Sequence, residues 1–266
     1  VRTTSNPAFR NLPSGGGYAT FQDQPSTAQG YPYAAGPVTT ERPMTIDDVV
    51  TKTGITAGAA LLAGIATAYS GAVFLALPAL IIGLVLSLII IFKQSANPGL
   101  ILGYSIAEGV LLGAITVVFD NFVSKGGATS FLEGLGFQAI VGTGGVFAGM
   151  LIVYKTGAIR VTPKLTRWIV GATIGVFVLM LANLVTSFFN TGGLGLRDGS
   201  PLAIGFSLLV IGVAAFSLLL DFDAADQAIR SGTPSKYAWY IAFGLMTTLV
   251  WLYIEIVRLL SYLRQE

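Results

Sequence analysis

Cysteine and histidine are both absent from the 266 residues, and each absence removes a class of chemistry. Without cysteine there is no disulfide frame, thiolate nucleophile, zinc ribbon or iron–sulfur cluster. Without histidine there is no serine–histidine dyad and no HExxH metalloprotease helix. Any catalysis would fall to carboxylates, Lys, Tyr or a cofactor, and the expectation is that the chain is not an enzyme. Charge is the third scarcity: Asp, Glu, Lys and Arg make up 11% of the residues, against roughly a quarter in an ordinary soluble domain. A water-soluble fold of this length needs charge over its surface, which 15 basic and 13 acidic side chains do not supply. What is plentiful is apolar: 53% of the residues are hydrophobic and the mean hydropathy is positive. The solvent for most of the chain is therefore lipid. A net charge of +2 is too balanced for a nucleic-acid binder.

Residues 1–44 differ in kind from the rest. They are rich in Pro, Gly, Ser, Thr, Gln and Tyr, lack apolar periodicity and read as a disordered cytoplasmic tail. They lack the basic start and apolar run of a signal peptide, so the tail is expected to stay in the mature protein. Its aromatics, Phe9, Tyr18, Phe21, Tyr31 and Tyr33, either dock a partner or are incidental. Residues 45–266 then form the membrane domain. Thr45 has the character of an N-cap, with Asp47 and Asp48 in the first turn, where the helix dipole favours negative charge.

From Thr53 to Phe92 there is no charged residue, a length that suits two spans with a turn at Tyr69 to Ala72. Lys93 closes the second. Further spans are expected at Gly99 to Phe119, Phe131 to Tyr154, Trp168 to Phe189, Pro201 to Leu220 and Tyr237 to Leu263, seven in all. The fold class is thus an all-α membrane protein, a seven-helix bundle after a disordered tail. Lys and Arg set the orientation. Arg2, Arg10, Arg42, Lys52, Lys93, Lys155, Arg160, Lys164, Arg167, Arg230 and Lys236 fall on one side, against Lys125, Arg197, Arg258 and Arg264 on the other, which puts the N-terminus inside. Glycines at helical spacing, Gly54 and Gly58, Gly109 and Gly113, Gly145 and Gly149, read as close helix packing rather than as a dimer face.

Carboxylates in hydrocarbon are costly and mark function by default. Glu108 lies deep in the third span and must face the bundle, either as a protonated hydrogen-bonding group or as part of an ion or proton path. Glu255 has Arg258 one turn on, an i to i+3 pair at a helix end. Asp221, Asp223 and Asp226 cluster after the sixth apolar run, where they oppose the macrodipole and are not explained as caps. Asp226 has Arg230 as a partner one turn on; Asp221 and Asp223 are open to either a functional or a structural reading. High-affinity Ca²⁺ takes 6–8 oxygen ligands, and acids this few suit weak, passing occupancy and no resident cofactor. Two carboxylates that approach each other share a proton, and the titration then belongs to the pair. A Schiff-base pigment is excluded because the last span has no Lys after Lys236. Pro78 interrupts the second span without the matching break of an inverted-repeat transporter.

With the basic residue closing span two before "NPGLILGYSIAEG", the "FDAADQ" segment after span six and the "LYIEIVRLLSYLR" ending, the chain resembles the Bax inhibitor/YccA family, in particular its bacterial branch, from Thr45 to Arg264. The resemblance implies a bundle with the last helix surrounded by the others, in the bacterial plasma membrane, and a pH-sensitive calcium leak. It implies that one acid ending helix six and one in helix seven share a proton, and that a basic residue ending helix two exchanges with them. These roles fall on Asp223, with Asp221 as the alternative, on Glu255, where the family usually has Asp, and on Lys93, where Arg is usual. The partners implied are the bilayer, Ca²⁺ or another cation, and membrane proteins. The segment from Asp223 to Glu255 is longer than the family pattern. Helix seven then begins deeper in the cytoplasm, helix six extends past the membrane, or the pair does not form. For the acids to meet, helix seven must begin nearer Phe243 than Tyr237. The competing function is a non-conducting scaffold that regulates membrane proteases or stress responses.

Overall fold

The computed structural model describes residues 41–123, 134–190 and 193–264. Its helices are α1 (Ile46–Ser70), α2 (Ala76–Lys93), α3 (Pro98–Val123), α4 (Leu135–Thr156), α5 (Pro163–Ser187), α6 (Pro201–Arg230) and α7 (Ala238–Leu263). All seven are long and apolar enough to cross a membrane. Thr45, Thr162 and Ser200 cap α1, α5 and α6 through their hydroxyls, with Pro in the first turn of the latter two. Gly71, at φ 64°, turns the chain out of α1 into the short turn before α2.

Helix α7 is the axis of the bundle. It packs on α1, α3, α4 and α6, whereas α5 lies outside on α6 and α2 outside on α3. Leu245, Leu252, Ile256 and Val257 on α7 join Leu218, Phe222 and Ala225 of α6 in the main core. A second cluster sets Tyr240, Phe243 and Met246 against Ile101 and Tyr104 of α3. Helices α1, α3 and α7 begin on the same side, here the near face. Lys93, just before α3, is on that face too, and the α5–α6 loop is on the far one.

Several boundaries differ from the sequence expectation. Helix α6 does not stop at Leu220 but runs to Arg230. Ala224, Ala225, Ala228 and Arg230 are good helix formers, and Phe222, Ala225 and Ala228 stay buried in the core. The acids therefore sit within the helix, not after it. Helix α7 begins at Ala238, not near Phe243, because Ala238, Ile241 and Ala242 are already buried. Helix α3 continues through Asp120 to Val123, residues expected in a loop, and α5 starts at Pro163, ahead of Trp168. Phe131, the expected start of span four, lies outside the described residues; α4 begins at Leu135. The tail reading for residues 1–40 also lies outside them.

Residues 41–44, assigned with the tail, belong to the packed body. Met44 is 2% exposed and its N–H donates to Thr233 O at 2.8 Å, while Ser235 N–H donates to Arg42 O at 3.0 Å. This short antiparallel bridge straps the entry of α1 to the α6–α7 turn. Lys52 Nζ adds a bond to Ser235 O at 2.6 Å. Asp48 completes the corner: it caps the Thr45 N–H at 3.0 Å and takes both Arg42 Nη1 and Nη2, at 2.8 and 2.7 Å. Asp48→Ala should cost about 1–2 kcal/mol, visible as faster amide exchange in the first turn of α1.

The glycine pairs do not act alike. A Cβ on Gly109 would overlap the Ala60 carbonyl oxygen, and one on Gly113 the Gly64 carbonyl oxygen, so α3 lies backbone to backbone on α1. At Gly54, Gly58, Gly145 and Gly149 a Cβ would meet nothing within 4 Å, so these four mark no close helix contact.

Candidate functional site: polar groups along the central helix

Four polar contacts follow one another along α7, from just before its middle toward its far end. Thr247 Oγ1 lies 3.3 Å from the Tyr104 hydroxyl of α3. Thr248 Oγ1 donates to Asp221 Oδ2 of α6 at 2.6 Å. The Tyr253 hydroxyl lies 2.9 Å from Thr116 Oγ1 of α3. Glu255 Oε1 accepts from Arg258 Nη1 at 2.6 Å and from Arg197 Nη2 at 3.1 Å. From Thr247 to Glu255 this series covers about 12 Å of helix axis. Between them the contacts tie the central helix to α3, to α6 and to the α5–α6 loop.

Asp221 is the acid that α6 turns toward α7. It lies between Leu218 and Ala225, one turn from each, on the stripe that α6 buries. Asp223 points elsewhere and accepts from Gln227 Nε2 at 2.5 Å. Asp226 pairs with Arg230 at 2.8 Å, as expected from their spacing, and also accepts from the Tyr154 hydroxyl of α4 at 3.3 Å. Asp223 and Asp226 thus form an acidic approach at the near face, with Asp221 beyond them inside the bundle.

Glu255 is 1% exposed at the far end of α7. The Arg258 pair matches the helical spacing, whereas the second arginine comes from the α5–α6 loop, 58 residues away in sequence. Glu255 Oε2 and Arg197 Nη1 have no hydrogen-bond partner among the described residues. Next to Arg197, the Ser200 hydroxyl and amide hold the exposed Asp198 carboxyl below the usual carboxylate range. Arg197 from this loop and Arg258 from α7 thus place two cations around one buried anion at the far end of the bundle.

The structure does not bring Asp223 and Glu255 together. Thr248 marks the level of Asp221, and Glu255 lies about 10 Å farther along α7, while Asp223 lies toward the opposite face. Lys93 is exposed at the near end of α2, on the face opposite Glu255, and cannot exchange with it. Glu108 does face the bundle: it is half-buried beside Gly83 of α2, one turn from Tyr104. Through Tyr104 it is adjacent to the Thr247 contact. Among the described residues no group of three acidic side chains could hold a metal ion.

A family model described as Bax inhibitor 1 like matches residues 6–265. The chain belongs to the Bax inhibitor 1-like family. No curated protein and no solved structure matches it. Bax inhibitor 1-like membership and seven apolar helices together make this an integral, multi-pass membrane protein.

Proposed function

We propose that this Bax inhibitor 1-like protein is a pH-sensitive leak for Ca²⁺ or a similar cation, closed in the state described above. The observation that carries the reading is the Thr248 to Asp221 bond, a carboxylate of α6 fastened to the central helix inside the bundle. The expected setting is a bacterial plasma membrane, and the N-terminus is expected on its cytoplasmic side, an orientation supported by the uneven Lys and Arg count across the two faces. No catalytic step and no resident cofactor form part of this function.

In this mechanism the cation is cargo. Asp223 and Asp226 draw a hard cation to the near face, where carboxylate oxygens suit it. The ionised Asp221 holds α6 against α7 through a charge-assisted bond, and the Arg197 and Arg258 cations close the far end. Protonation of Asp221 removes the charge from that bond and loosens α6 from α7. Thr248 on α7 is the hydrogen-bond partner that Asp221 has among the described residues, while Asp223, Asp226 and Arg230 on α6 and Tyr154 on α4 form a separate cluster closer to the near face. Leak therefore rises as pH falls.

Asp221→Asn mimics the protonated carboxyl. Losing about 1.5 kcal/mol of bond strength raises the open population about tenfold. Ca²⁺ dye flux in reconstituted vesicles reads this directly; Asp223→Asn, which leaves the Thr248 to Asp221 bond in place and removes one acid of the approach, should not raise the flux. No flux above empty vesicles would overturn the leak and leave a non-conducting scaffold.

A further inference from the structure

A slot of about 530 Å³ opens between α1 and α4, floored by α3 and α7, on the side of the bundle away from the α6–α7 contact. Along α1 it is lined from Ala57 to Tyr69, about 18 Å of helix axis. The hydrocarbon half of one leaflet is about 15 Å deep, so the slot runs from one interface to the middle of the bilayer. Its ends differ. At the far face it is bordered by Asp120 and by the hydrogen-bonded hydroxyls of Thr116 and Tyr253. Toward the midplane the wall is apolar apart from Thr143, which is 8% exposed and whose hydroxyl has no partner among the described residues.

We propose that this slot binds one acyl chain of a zwitterionic phospholipid from the leaflet at the far face. The medium at this depth is hydrocarbon, so what enters an apolar slot open between two helices is an extended chain aligned with the helices. Length and polarity match that occupant: head at the polar end, tail at the apolar end. The ionic group on the described wall chooses the source of the chain. Asp120, whose Oδ1 accepts from Leu135 N–H at 2.9 Å, places a carboxylate at the mouth, which repels a free fatty-acid anion and attracts a headgroup ammonium. The bound chain fills the gap between α1 and α4 and so couples α7 to the surrounding lipid.

The test is lipid retention. Wild-type protein is extracted from membranes, exchanged through detergent, and its bound lipid identified by mass spectrometry and counted per chain. One zwitterionic phospholipid per chain is expected. Ala68→Trp and Ile140→Trp, which fill the slot, should each lower retention about fivefold, while Leu181→Trp on the exposed face of α5 should not change it. Asp120→Asn fills nothing and keeps an acceptor for Leu135 N–H; it should abolish the preference for zwitterionic over anionic headgroups. The proposal is overturned if wild type retains no phospholipid, if it retains a free fatty acid instead, if both slot-filling variants retain as much as wild type, or if Asp120→Asn leaves the headgroup preference intact.

Discussion

Glu255→Ala should lower stability by about 3 kcal/mol, because breaking a buried ion pair leaves charge behind without compensation. Here the residue removed is the shared anion, and two guanidinium groups remain beside an apolar helix end. Their side chains are 22% and 16% exposed, for Arg197 and Arg258, so water relieves part of the cost and the lower end of the range applies. Removing either arginine instead leaves Glu255 one partner and should cost less. The two losses should be non-additive, since both arginines meet the same Oε1. Unfolding in mixed detergent micelles, wild type against Glu255→Ala, Arg197→Ala and the double variant, gives the coupling. An unchanged unfolding midpoint for Glu255→Ala would show that the triad does not hold the far end closed.

Gly113→Val should separate α1 from α3. Overpacking a core ordinarily costs about 1–3 kcal/mol because side chains shift to make room. At Gly113 the obstacle is the Gly64 backbone carbonyl, which no rotamer change can move. The cost should therefore exceed that range, with the folded yield falling sharply. Gly58→Ala is the matched control on the open face of α1, where a methyl meets nothing within 4 Å. It should stay within about 0.5 kcal/mol of wild type. Yields judged by size-exclusion profiles in detergent separate the two outcomes. The same contrast explains why glycine spacing alone was ambiguous: six glycines share one pattern, and only the pair facing another backbone is under constraint.

The seven spans were legible because apolar runs of membrane length are hard to read otherwise, and the cap at Thr45 and Arg230's pairing with Asp226 followed from local spacing. What sequence could not give was where a helix ends once it leaves the lipid. The change from "SLLL" to "DFDAAD" marks a change of solvent, yet the backbone of α6 continues because its next residues still favour helix and one face still packs. Moving the start of α7 to Phe243 followed from requiring two acids to meet; the buried run from Ala238 shows that the requirement was mistaken.

The choice between Asp221 and Asp223 was available from helical phase. Leu218, Ala225 and Ala228 define the buried stripe of α6, and Asp221 falls on it. Arg197 left no such trace, because a contact from a glycine-rich loop 58 residues away has no periodicity. Its nearest signal is scarcity: few basic residues lie on the far side, and a buried Glu255 needs compensation there.

Asp221 carries the central claim, and the pH profile of cation flux tests it most directly. Wild type and Asp221→Asn are reconstituted at equal density, and Ca²⁺ entry is followed from about pH 6 to about pH 8. The expected result is a wild-type leak that rises as pH falls and an Asp221→Asn leak that is raised and flat. An Asp221→Asn profile that follows wild type in both level and pH dependence would contradict the account.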